Sequence, residues 1–299
     1  MLILKNVTKY YGSNLAVDNL SFEVKDGEIF GLLGVNGAGK TTTFRMITGL
    51  LDKTKGEITF NGKKIDYSVT DKIGFLAEER CLLTKLTVFE QAKFYGGLKS
   101  MGEKDIESRL DYLLDKLEIS DYKNKKIKEL SKGNQQKVQF IMAILHKPKL
   151  LILDEPFSGL DPINIELFKN LILELKHEGT SIIFSSHRMD HVEYFCESLV
   201  ILVKGKTVLQ GNLKKIKEEY RKKNILINGS IDTEEIKKVN GVLDVQKNGQ
   251  DYSVKILDDS KVENVFKYVS KCKNITKFIV EEPSLNEIFI ERVGGSYEK

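Results

Sequence analysis

The sequence predicts an α/β fold with a parallel central sheet, followed by a small α+β domain. The first observation is a glycine-rich loop, Gly34–Thr42, between an apolar strand and a helix. The second is a pair of short apolar segments, Leu150–Leu153 and Ser181–Phe184, of the kind buried on both faces of a parallel sheet. The third is a βαββαβ order with a final helix after Tyr220, which predicts a ferredoxin-like domain.

Size and composition set the outer bounds of the interpretation. A chain of 299 residues exceeds one typical domain, so we expect a large domain over 1–220 and a small one over 221–299. The hydrophobic fraction of 41% supplies ample material for a core. The net charge of +4 is a small difference between 47 basic and 43 acidic residues that are interspersed. This charge pattern does not indicate a nucleic-acid partner.

Cysteine usage and hydropathy predict a chain that is soluble by itself in a reducing compartment. Cys81, Cys196 and Cys272 lie far apart and match no metal or redox spacing, so we expect free thiols. Lys5 and Lys9 interrupt the apolar start, which argues against a signal peptide. No uninterrupted apolar segment approaches the roughly 20 residues needed to cross a bilayer.

The first strands are predicted over Met1–Val24, where apolar and polar residues alternate on both sides of a turn at Gly12. Tyr11 lies at this turn. Its ring could stack on a purine base, although a tyrosine in such a position more often packs at a sheet edge. From the residues alone, both interpretations of Tyr11 remain open.

The glycine-rich loop has the pattern of a phosphate-binding loop, G-x-x-x-x-G-K-[ST]. Glycines let several backbone N–H groups converge on a phosphate chain, and we expect that a Cβ at Gly37 or Gly39 would obstruct it. The N-terminus of the following helix carries only about half an elementary charge, so further cations are needed. The residues predicted to contact the nucleotide are Gly34, Asn36, Gly37, Ala38, Gly39, Lys40, Thr41 and Thr42. The alternative is a tight connection without a ligand.

Scaffold elements follow this loop. Asn61-Gly62 predicts a hairpin, and Ile73–Leu76 predicts a short strand that ends at Ala77-Glu78. Between residues 87 and 145 the apolar spacing becomes helical, which predicts a helical subdomain. The two predicted buried faces are Ile106, Leu110, Leu113, Leu114 and Leu117, and Val138, Ile141, Met142 and Leu145.

The segment Leu130–Asn134, Leu-Ser-Lys-Gly-Asn, has two interpretations. Spacing alone favours an ordinary helix cap. The second interpretation is a phosphate site, because Ser131 offers a hydroxyl, Gly133 permits close approach, and a helix beginning near Asn134 presents free N–H groups.

Two adjacent carboxylates, Asp154 and Glu155, come directly after the strand Leu150–Leu153. Like charges at a strand end repel unless a cation lies between them. With a phosphate-binding loop upstream, Asp154 fits a role at Mg²⁺, and Glu155 fits the orientation or activation of water. His187 follows the strand Ser181–Phe184 at the same edge of the sheet, where it can approach a γ-phosphate.

Asp161-Pro162 predicts the start of a helix, in the order of an N-cap followed by the first turn. We expect Leu167, Leu171 and Leu175 to line the inner face of this helix.

Taken together, these motifs resemble the ATP-binding subunits of ABC transporters over about 1–220. Gly34–Thr42 is similar to the Walker A loop of P-loop NTPases, and Leu151–Glu155 is similar to Walker B with its catalytic glutamate. Leu130–Asn134 occupies the place of the signature sequence. The resemblance further implies adenine stacking on Tyr11, a D-loop over Ser158–Asp161 and a switch histidine at His187. It also implies a mixed central sheet with an antiparallel β subdomain.

Two departures from the family pattern concern the site. Lys132 and Asn134 replace Gly and Gln of the usual signature, while Ser131 and Gly133 remain. Glu78 stands where the family usually has the Q-loop glutamine, and its carboxylate can still meet Mg²⁺. The metal ligands implied are therefore Thr41, Asp154 and Glu78, with Ser131, Gly133 and Asp161 contacting ATP.

Within the family, LSKGNQQK, LAEER and EEPSLNEIFI resemble the sodium and drug exporter branch, which pairs with membrane subunits of the ABC-2 type. The resemblance implies two copies facing each other, with ATP between the Walker A loop of one and the signature segment of the other. It also implies a polytopic permease bound near Glu78–Leu86, and a cytoplasmic position at the inner face of the membrane. For residues 221–299, a regulatory or dimer-supporting role is a hypothesis.

Two other functions compete with transport. One is a non-transport ABC-type ATPase that acts on ribosomes or DNA, but the chain has one motif set, and only about 110 residues separate Walker A from Walker B. The other is an inert nucleotide-binding module, which the presence of both Glu155 and His187 disfavours.

Overall fold

The computed structural model describes the backbone of residues 1–297 and all of their side chains except those of 67–68 and 293–297. The chain separates into two compact units, one from Met1 to Gln210 and one from Gly211 onward. The expected boundary at Tyr220 stays a prediction.

The first unit contains both strands and helices. Its strands are β1 (Leu2–Tyr11), β2 (Asn14–Val24), β3 (Ile29–Gly34), β4 (Lys55–Phe60), β5 (Lys63–Lys64), β6 (Ile73–Leu76), β7 (Leu150–Asp154), β8 (Ser181–Ser185), β9 (Ser198–Val203) and β10 (Lys206–Asn212), of which β10 extends past the boundary between the units. Its helices are α1 (Lys40–Ile47), α2 (Tyr67–Thr70), α3 (Val88–Leu98), α4 (Glu103–Lys116), α5 (Lys132–Ile144), α6 (Pro162–His177) and α7 (Met189–Phe195).

An antiparallel sheet with the order β2-β1-β4-β5 covers one side of the core. The hairpins predicted at Gly12 and at Asn61-Gly62 are both confirmed. The apolar faces of β1, β2 and β4 share one buried cluster with α1 and with strands of the second sheet. This cluster fixes the loop before α1 between the two sheets.

The second sheet has the order β10-β9-β3-β8-β7-β6. Strands β9, β3, β8, β7 and β6 pair in parallel. Lys204 and Gly205 both have positive φ in a two-residue turn, which makes β10 antiparallel to β9 and the sheet mixed. Every residue of β3, β7 and β8 is buried, as the apolar runs predict. The carboxyl ends of β3, β6, β7 and β8 therefore meet at one edge.

Helices α3, α4 and α5 form the predicted helical subdomain. Both predicted apolar faces are buried. A capping box at Thr87 and Glu90 starts α3. Helix α5 begins at Lys132, slightly before the expected start near Asn134, because the Ser131 hydroxyl caps it by accepting the Asn134 N–H.

Helix α6 begins at Pro162 with Asp161 as its N-cap, as predicted. Its buried residues are Phe168, Leu171, Ile172 and Leu175, so Leu171 and Leu175 are buried as predicted and Leu167 is not. Leu167 is only half-buried, whereas the neighbouring Phe168 is fully buried and stacks on Phe140 at 4.6 Å between ring centroids. The larger aromatic ring therefore takes the place expected for the leucine.

The second unit contains α8 (Leu213–Glu219), β11 (Lys223–Ser230), α9 (Thr233–Lys237), β12 (Val242–Asn248), β13 (Asp251–Ile256), α10 (Val262–Val269), β14 (Lys273–Glu281) and α11 (Leu285–Tyr297). Its sheet has the order β12-β13-β11-β14, with antiparallel pairing throughout. This is the predicted βαββαβ order, and the sheet encloses an apolar cluster of its own.

Cys81, Cys196 and Cys272 are free thiols, as expected. Within residues 1–297, no helix combines the length and the hydropathy that a membrane span requires.

Candidate functional site

A cleft of about 1040 Å³ lies at the edge of the parallel sheet where β3, β6, β7 and β8 end. It is lined by the glycine-rich loop and by side chains from the neighbouring strand ends. The lining residues are Tyr11, Asn14, Leu15, Ala16, Val35, Asn36, Gly37, Ala38, Gly39, Lys40, Thr41, Thr42, Glu78, Glu155, His187 and Lys204. Most of the residues that the sequence predicts for one nucleotide site therefore meet in one cleft.

The glycine-rich loop closes on the side chain of Lys40. The Lys40 ammonium donates to the carbonyl oxygen of Gly34 at 2.7 Å and to that of Val35 at 3.4 Å. Gly39 has φ +103, and a Cβ there would lie 2.6 Å from the carbonyl oxygen of Ala16. At Gly37 (φ +78) a Cβ would meet no protein atom within 4 Å. The constraint at Gly39 thus comes from the packed backbone, whereas at Gly37 it comes from the left-handed conformation.

Asp154 does not line the cleft itself but is buried next to Thr41 and Glu155, which do, with 1% of its surface exposed. The Ser185 hydroxyl donates to its Oδ1 at 2.6 Å, and the Thr41 hydroxyl approaches its Oδ2 at 3.4 Å. Burial raises the pKa of Asp154, and the carboxylates of Glu78 and Glu155 act in the same direction. An ionised Asp154 is therefore electrostatically unfavourable here without a cation.

Glu155 lies just past the end of β7 in a left-handed backbone conformation, with φ +50. Its backbone N–H donates to the Ser185 hydroxyl at 3.2 Å. Its side chain is nearly buried, and His187 Nδ1 lies 2.9 Å from its Oε2. The His187 side chain itself is 72% exposed. The imidazole therefore covers the carboxylate from the solvent side.

Tyr11 and Glu78 lie at the rim of the cleft. Tyr11 is 46% exposed, and the Lys9 ammonium lies 5.4 Å from its ring centroid. Glu78 is exposed and faces the same cleft as Glu155. The rim thus offers an aromatic ring at one place and a carboxylate at another.

Four predicted nucleotide contacts, Gly34, Ser131, Gly133 and Asp161, are absent from the residues that line this cleft. The Ser131 hydroxyl caps α5, and the Asp161 carboxylate caps α6 by accepting the Asn164 N–H at 2.9 Å. The cap keeps the pKa of Asp161 low. The first interpretation of the Leu130–Asn134 segment, a helix cap, is therefore confirmed.

The donor set of the cleft fits a magnesium–triphosphate group. The buried ammonium of Lys40 and the loop amides suit phosphate oxygens. Mg²⁺ takes oxygen ligands and is bound through one or two carboxylates together with substrate phosphates. The Thr41 hydroxyl and the Asp154 carboxylate, 3.4 Å apart, supply oxygen atoms of that kind.

Comparison with known proteins agrees with this geometry. The family model for ABC transporter matches residues 17–158, and the model for the ATP-binding protein DrrA1-3-like C-terminal domain matches residues 211–293. The uncharacterized ABC transporter ATP-binding protein YhaQ of Bacillus subtilis is 49% identical over 298 residues, which cover 100% of both chains. The chain belongs to the family of ABC transporter ATP-binding proteins.

Solved structures show the same fold for the ATPase unit. The structure of an ATP-binding subunit of an ABC transporter has a TM-score of 0.70 and 32% identity, over 74% of this chain and 93% of that one. A dimeric post-hydrolysis ABC cassette bound to ADP and phosphate has a TM-score of 0.66 and 26% identity, over 71% and 99% of the two chains. This ABC ATP-binding protein is accordingly an ATPase.

Sequence reasoning missed Ser185, whose hydroxyl donates to the Asp154 carboxylate and accepts the backbone N–H of Glu155 in this ABC ATPase. The available signal was the alignment of two parallel strands, because Asp154 pairs with Ser185 in the sheet. It also missed Asn14 and Lys204, which enter the cleft from turns distant in sequence. No local motif marks those two positions.

Proposed function

We propose that this chain powers an ABC-2 type exporter by ATP-driven association of two copies. The observation that carries the proposal is the meeting of Lys40, Glu155 and His187 in one cleft, while Ser131 and Gly133 lie elsewhere. One chain thus offers phosphate-binding and hydrolytic groups on one surface and a capped helix start on another. Two copies arranged head to tail would complete two sites.

Binding of the triphosphate would begin at the glycine-rich loop. The Lys40 ammonium would exchange the carbonyl oxygens of Gly34 and Val35 for β- and γ-phosphate oxygens. Tyr11, exposed at the rim, would stack on the adenine. Asn36, Gly37, Ala38, Gly39 and Thr42 would complete the cradle, chiefly through backbone N–H groups.

Thr41, Asp154 and Glu78 would hold Mg²⁺, whose charge would neutralise the phosphate oxygens during hydrolysis. In the ligand-free chain, burial and then the nearby Glu78 carboxylate raise the pKa of Asp154, so its ionisation is costly. The cation removes this cost. The need for a cation beside the ionised Asp154 supports the proposal that nucleotide and Mg²⁺ bind together.

Hydrolysis would use Glu155 to orient and deprotonate water. The His187 Nδ1–H would donate to Glu155 Oε2, which fixes the carboxylate beside the γ-phosphate. The low fraction of exposed Glu155 surface strengthens these interactions, because little water screens them.

The partner's nucleotide would meet the start of α5. As a cap, the Ser131 hydroxyl accepts a hydrogen bond from the Asn134 N–H, and its own O–H remains available to donate to a γ-phosphate oxygen. Gly133 lets the phosphate approach the backbone. Loss of the γ-phosphate would remove these contacts and separate the two copies.

The membrane partner would be a polytopic permease, contacted near Glu78–Leu86, with the ATPase at the inner face of the cell membrane. Support comes from the resemblance to the exporter branch and from the DrrA-like domain at 211–293. Opening and closing of the ATPase pair would then move helices of the permease.

A substitution at Glu155 tests the proposal. Glu155→Gln should reduce ATP hydrolysis by roughly 10² to 10⁴-fold while ATP binding persists. Size-exclusion chromatography with Mg²⁺ and ATP should then detect a nucleotide-bound dimer. Lys40→Ala is the matched control, since it should abolish nucleotide binding and hence the dimer. Unchanged turnover in Glu155→Gln, or normal ATP affinity in Lys40→Ala, would refute the assignment.

A further inference from the structure

Helix α5 carries a buried glutamine that contacts the segment of Glu78. Gln139 is 7% exposed, and its Nε2 group donates to the carbonyl oxygen of Ala77 at 2.9 Å and to that of Glu79 at 3.1 Å. Both N–H donors of one amide are thus used on the two peptide groups that flank Glu78. The backbone on either side of this carboxylate is fixed to α5.

A second glutamine of α5 makes an equivalent contact beside Glu155. Gln136 is 3% exposed, and its Nε2 group donates to the carbonyl oxygen of Pro156, the residue after Glu155, at 3.2 Å. Helix α5 therefore contacts the backbone next to two carboxylates of the cleft. Its own first turn contains Ser131–Gly133, the segment assigned to the partner's nucleotide.

We propose that Gln139 is a positioning residue that sets Glu78 for Mg²⁺–ATP and links this setting to the start of α5. The inference rests on the function proposed above and concerns the arrangement of that same site. Gln136 performs the corresponding linkage at Glu155. Engagement of Ser131 with a partner's nucleotide would thereby reach both carboxylates through one rigid helix.

The energetics favour positioning over packing. Gln139 Oε1 is buried and has no hydrogen-bond partner among the described residues. A buried amide oxygen without a partner destabilises the fold, so an apolar side chain would pack here at lower cost. The two hydrogen bonds from Nε2 offset that cost, because without them the carbonyl groups of Ala77 and Glu79 would lose their donor. The amide side chain of Gln139 is therefore explained by the two carbonyl groups to which it donates.

The test is Gln139→Met, which conserves volume and removes both donors. The measurement is the affinity of a fluorescent, non-cleavable ATP analogue, titrated with Mg²⁺ and repeated in EDTA. Removing a group that orients a metal ligand typically weakens metal affinity 10- to 100-fold. Because Glu78 is exposed and is one of three ligands, we expect a roughly 10-fold rise in the Mg²⁺ concentration for half-maximal binding. Affinity in EDTA should change less than 2-fold.

Gln91→Met is the matched control. Gln91 is fully buried, and its Oε1 accepts the backbone N–H of Leu83 at 2.7 Å, further along the same segment. Gln91→Met should lower the melting temperature and leave the Mg²⁺ dependence of analogue binding unchanged. In a Glu78→Ala background, Gln139→Met should have no further effect on the Mg²⁺ dependence.

Two outcomes would overturn the inference. One is an unchanged Mg²⁺ dependence in Gln139→Met, with only the melting temperature lowered, which would make Gln139 structural. The other is an equal shift with and without Glu78. Failure of the wild-type chain to bind the analogue would instead refute the proposed function, so the two failures are distinguishable.

Discussion

Asp154 shows at the scale of one residue how the site trades stability for function. Because burial raises its pKa above the unfolded value, the ionised carboxylate destabilises the folded chain at neutral pH. Asp154→Asn should therefore raise the melting temperature of the ligand-free protein, since the amide oxygen can still accept the Ser185 hydroxyl. The same change should abolish the Mg²⁺-dependent part of stabilisation by nucleotide. In the wild type, Mg²⁺–nucleotide at a concentration 100 times its dissociation constant should stabilise the fold by about 2.7 kcal/mol.

Thermal unfolding in EDTA and in Mg²⁺–ADP measures both effects. Ser185→Ala is the control, because it removes the hydrogen bond and keeps the charge, and should lower the melting temperature in EDTA. A lower melting temperature for Asp154→Asn in EDTA would contradict the argument from burial.

His146 should make stability depend on pH below neutrality. Its Nε2–H donates to the carbonyl oxygen of Ile73, and burial lowers its pKa to about 4, with Lys99 adding to the effect and Asp71 opposing it. The unfolded chain binds the proton between about pH 6.5 and pH 4, so this residue's contribution to stability falls as pH falls through that range. Between pH 7 and pH 5 the loss is about 2 kcal/mol.

Urea denaturation of the wild type and of His146→Gln at the two pH values isolates this contribution. The glutamine amide can still donate to Ile73 but does not titrate. The variant should therefore lose about 2 kcal/mol less than the wild type between pH 7 and pH 5. Parallel losses in the two proteins would show that His146 does not titrate in this range.

The residues that sequence reasoning could place are those whose chemistry is local. The loop Gly34–Thr42 and the pair Asp154-Glu155 can each be recognised from a few neighbouring residues. Residues of the loop and Glu155 line the cleft, and Asp154 is buried next to them. Ser185 and Gln139 could not be assigned this way, because their partners lie about 30 and 60 residues away. Only the strand register or the seating of α5 brings them together.

At the scale of the element, the start of α6 allows the contribution of the Asp161 cap to stability to be measured. Its carboxylate accepts the backbone N–H of Asn164 at 2.9 Å and the Asn164 side-chain amide at 2.6 Å. Loss of an N-cap typically costs about 1 kcal/mol, and asparagine caps as well as aspartate. Asp161→Ala should therefore destabilise the protein by about 1 kcal/mol, while Asp161→Asn should change stability by only a few tenths.

Chemical denaturation of the ligand-free chain gives both values. The pair also separates the cap from the predicted nucleotide contact. If Asp161→Asn keeps stability but weakens ATP-driven association, the charge serves the nucleotide as well as the helix. Equal destabilisation by both substitutions would show that the cap bond contributes little.

Element types were more predictable than element faces. Apolar runs of four or five residues predicted β7 and β8 because a strand buried on both faces needs no alternation. Helix α5 has every residue from Gln136 to Ile144 buried, including polar ones, so its apolar periodicity revealed only one of its faces. In α6, Phe168 is buried where Leu167 was predicted to be, because tertiary packing decides which of two neighbouring apolar side chains faces the core.

At the scale of the whole molecule, the two units present separate cores. The ferredoxin-like order was readable from the sequence because each strand and helix of the second unit carries its own periodic pattern. Its buried cluster draws only on residues after Gly211. Domains below 100 residues bury a smaller fraction of their surface than large ones and are correspondingly marginal. The exact position of the boundary therefore matters for whether the second unit folds alone.

Helix α8 decides between a boundary at Gln210 and one at Tyr220. The compact second unit begins at Gly211, as does the matched DrrA-like domain. Leu213 and Ile216 of α8 are both buried, and burying such a side chain contributes about 1.5 to 3 kcal/mol. If α8 belongs to the second unit, a fragment of residues 211–299 should be more stable than one of residues 221–299 by about 2 kcal/mol or more.

The complementary fragments 1–210 and 1–220 should then bind ATP equally and unfold at similar urea concentrations. Urea midpoints of the four fragments measure this, and a clearly less stable 1–210 fragment would place α8 with the ATPase unit instead.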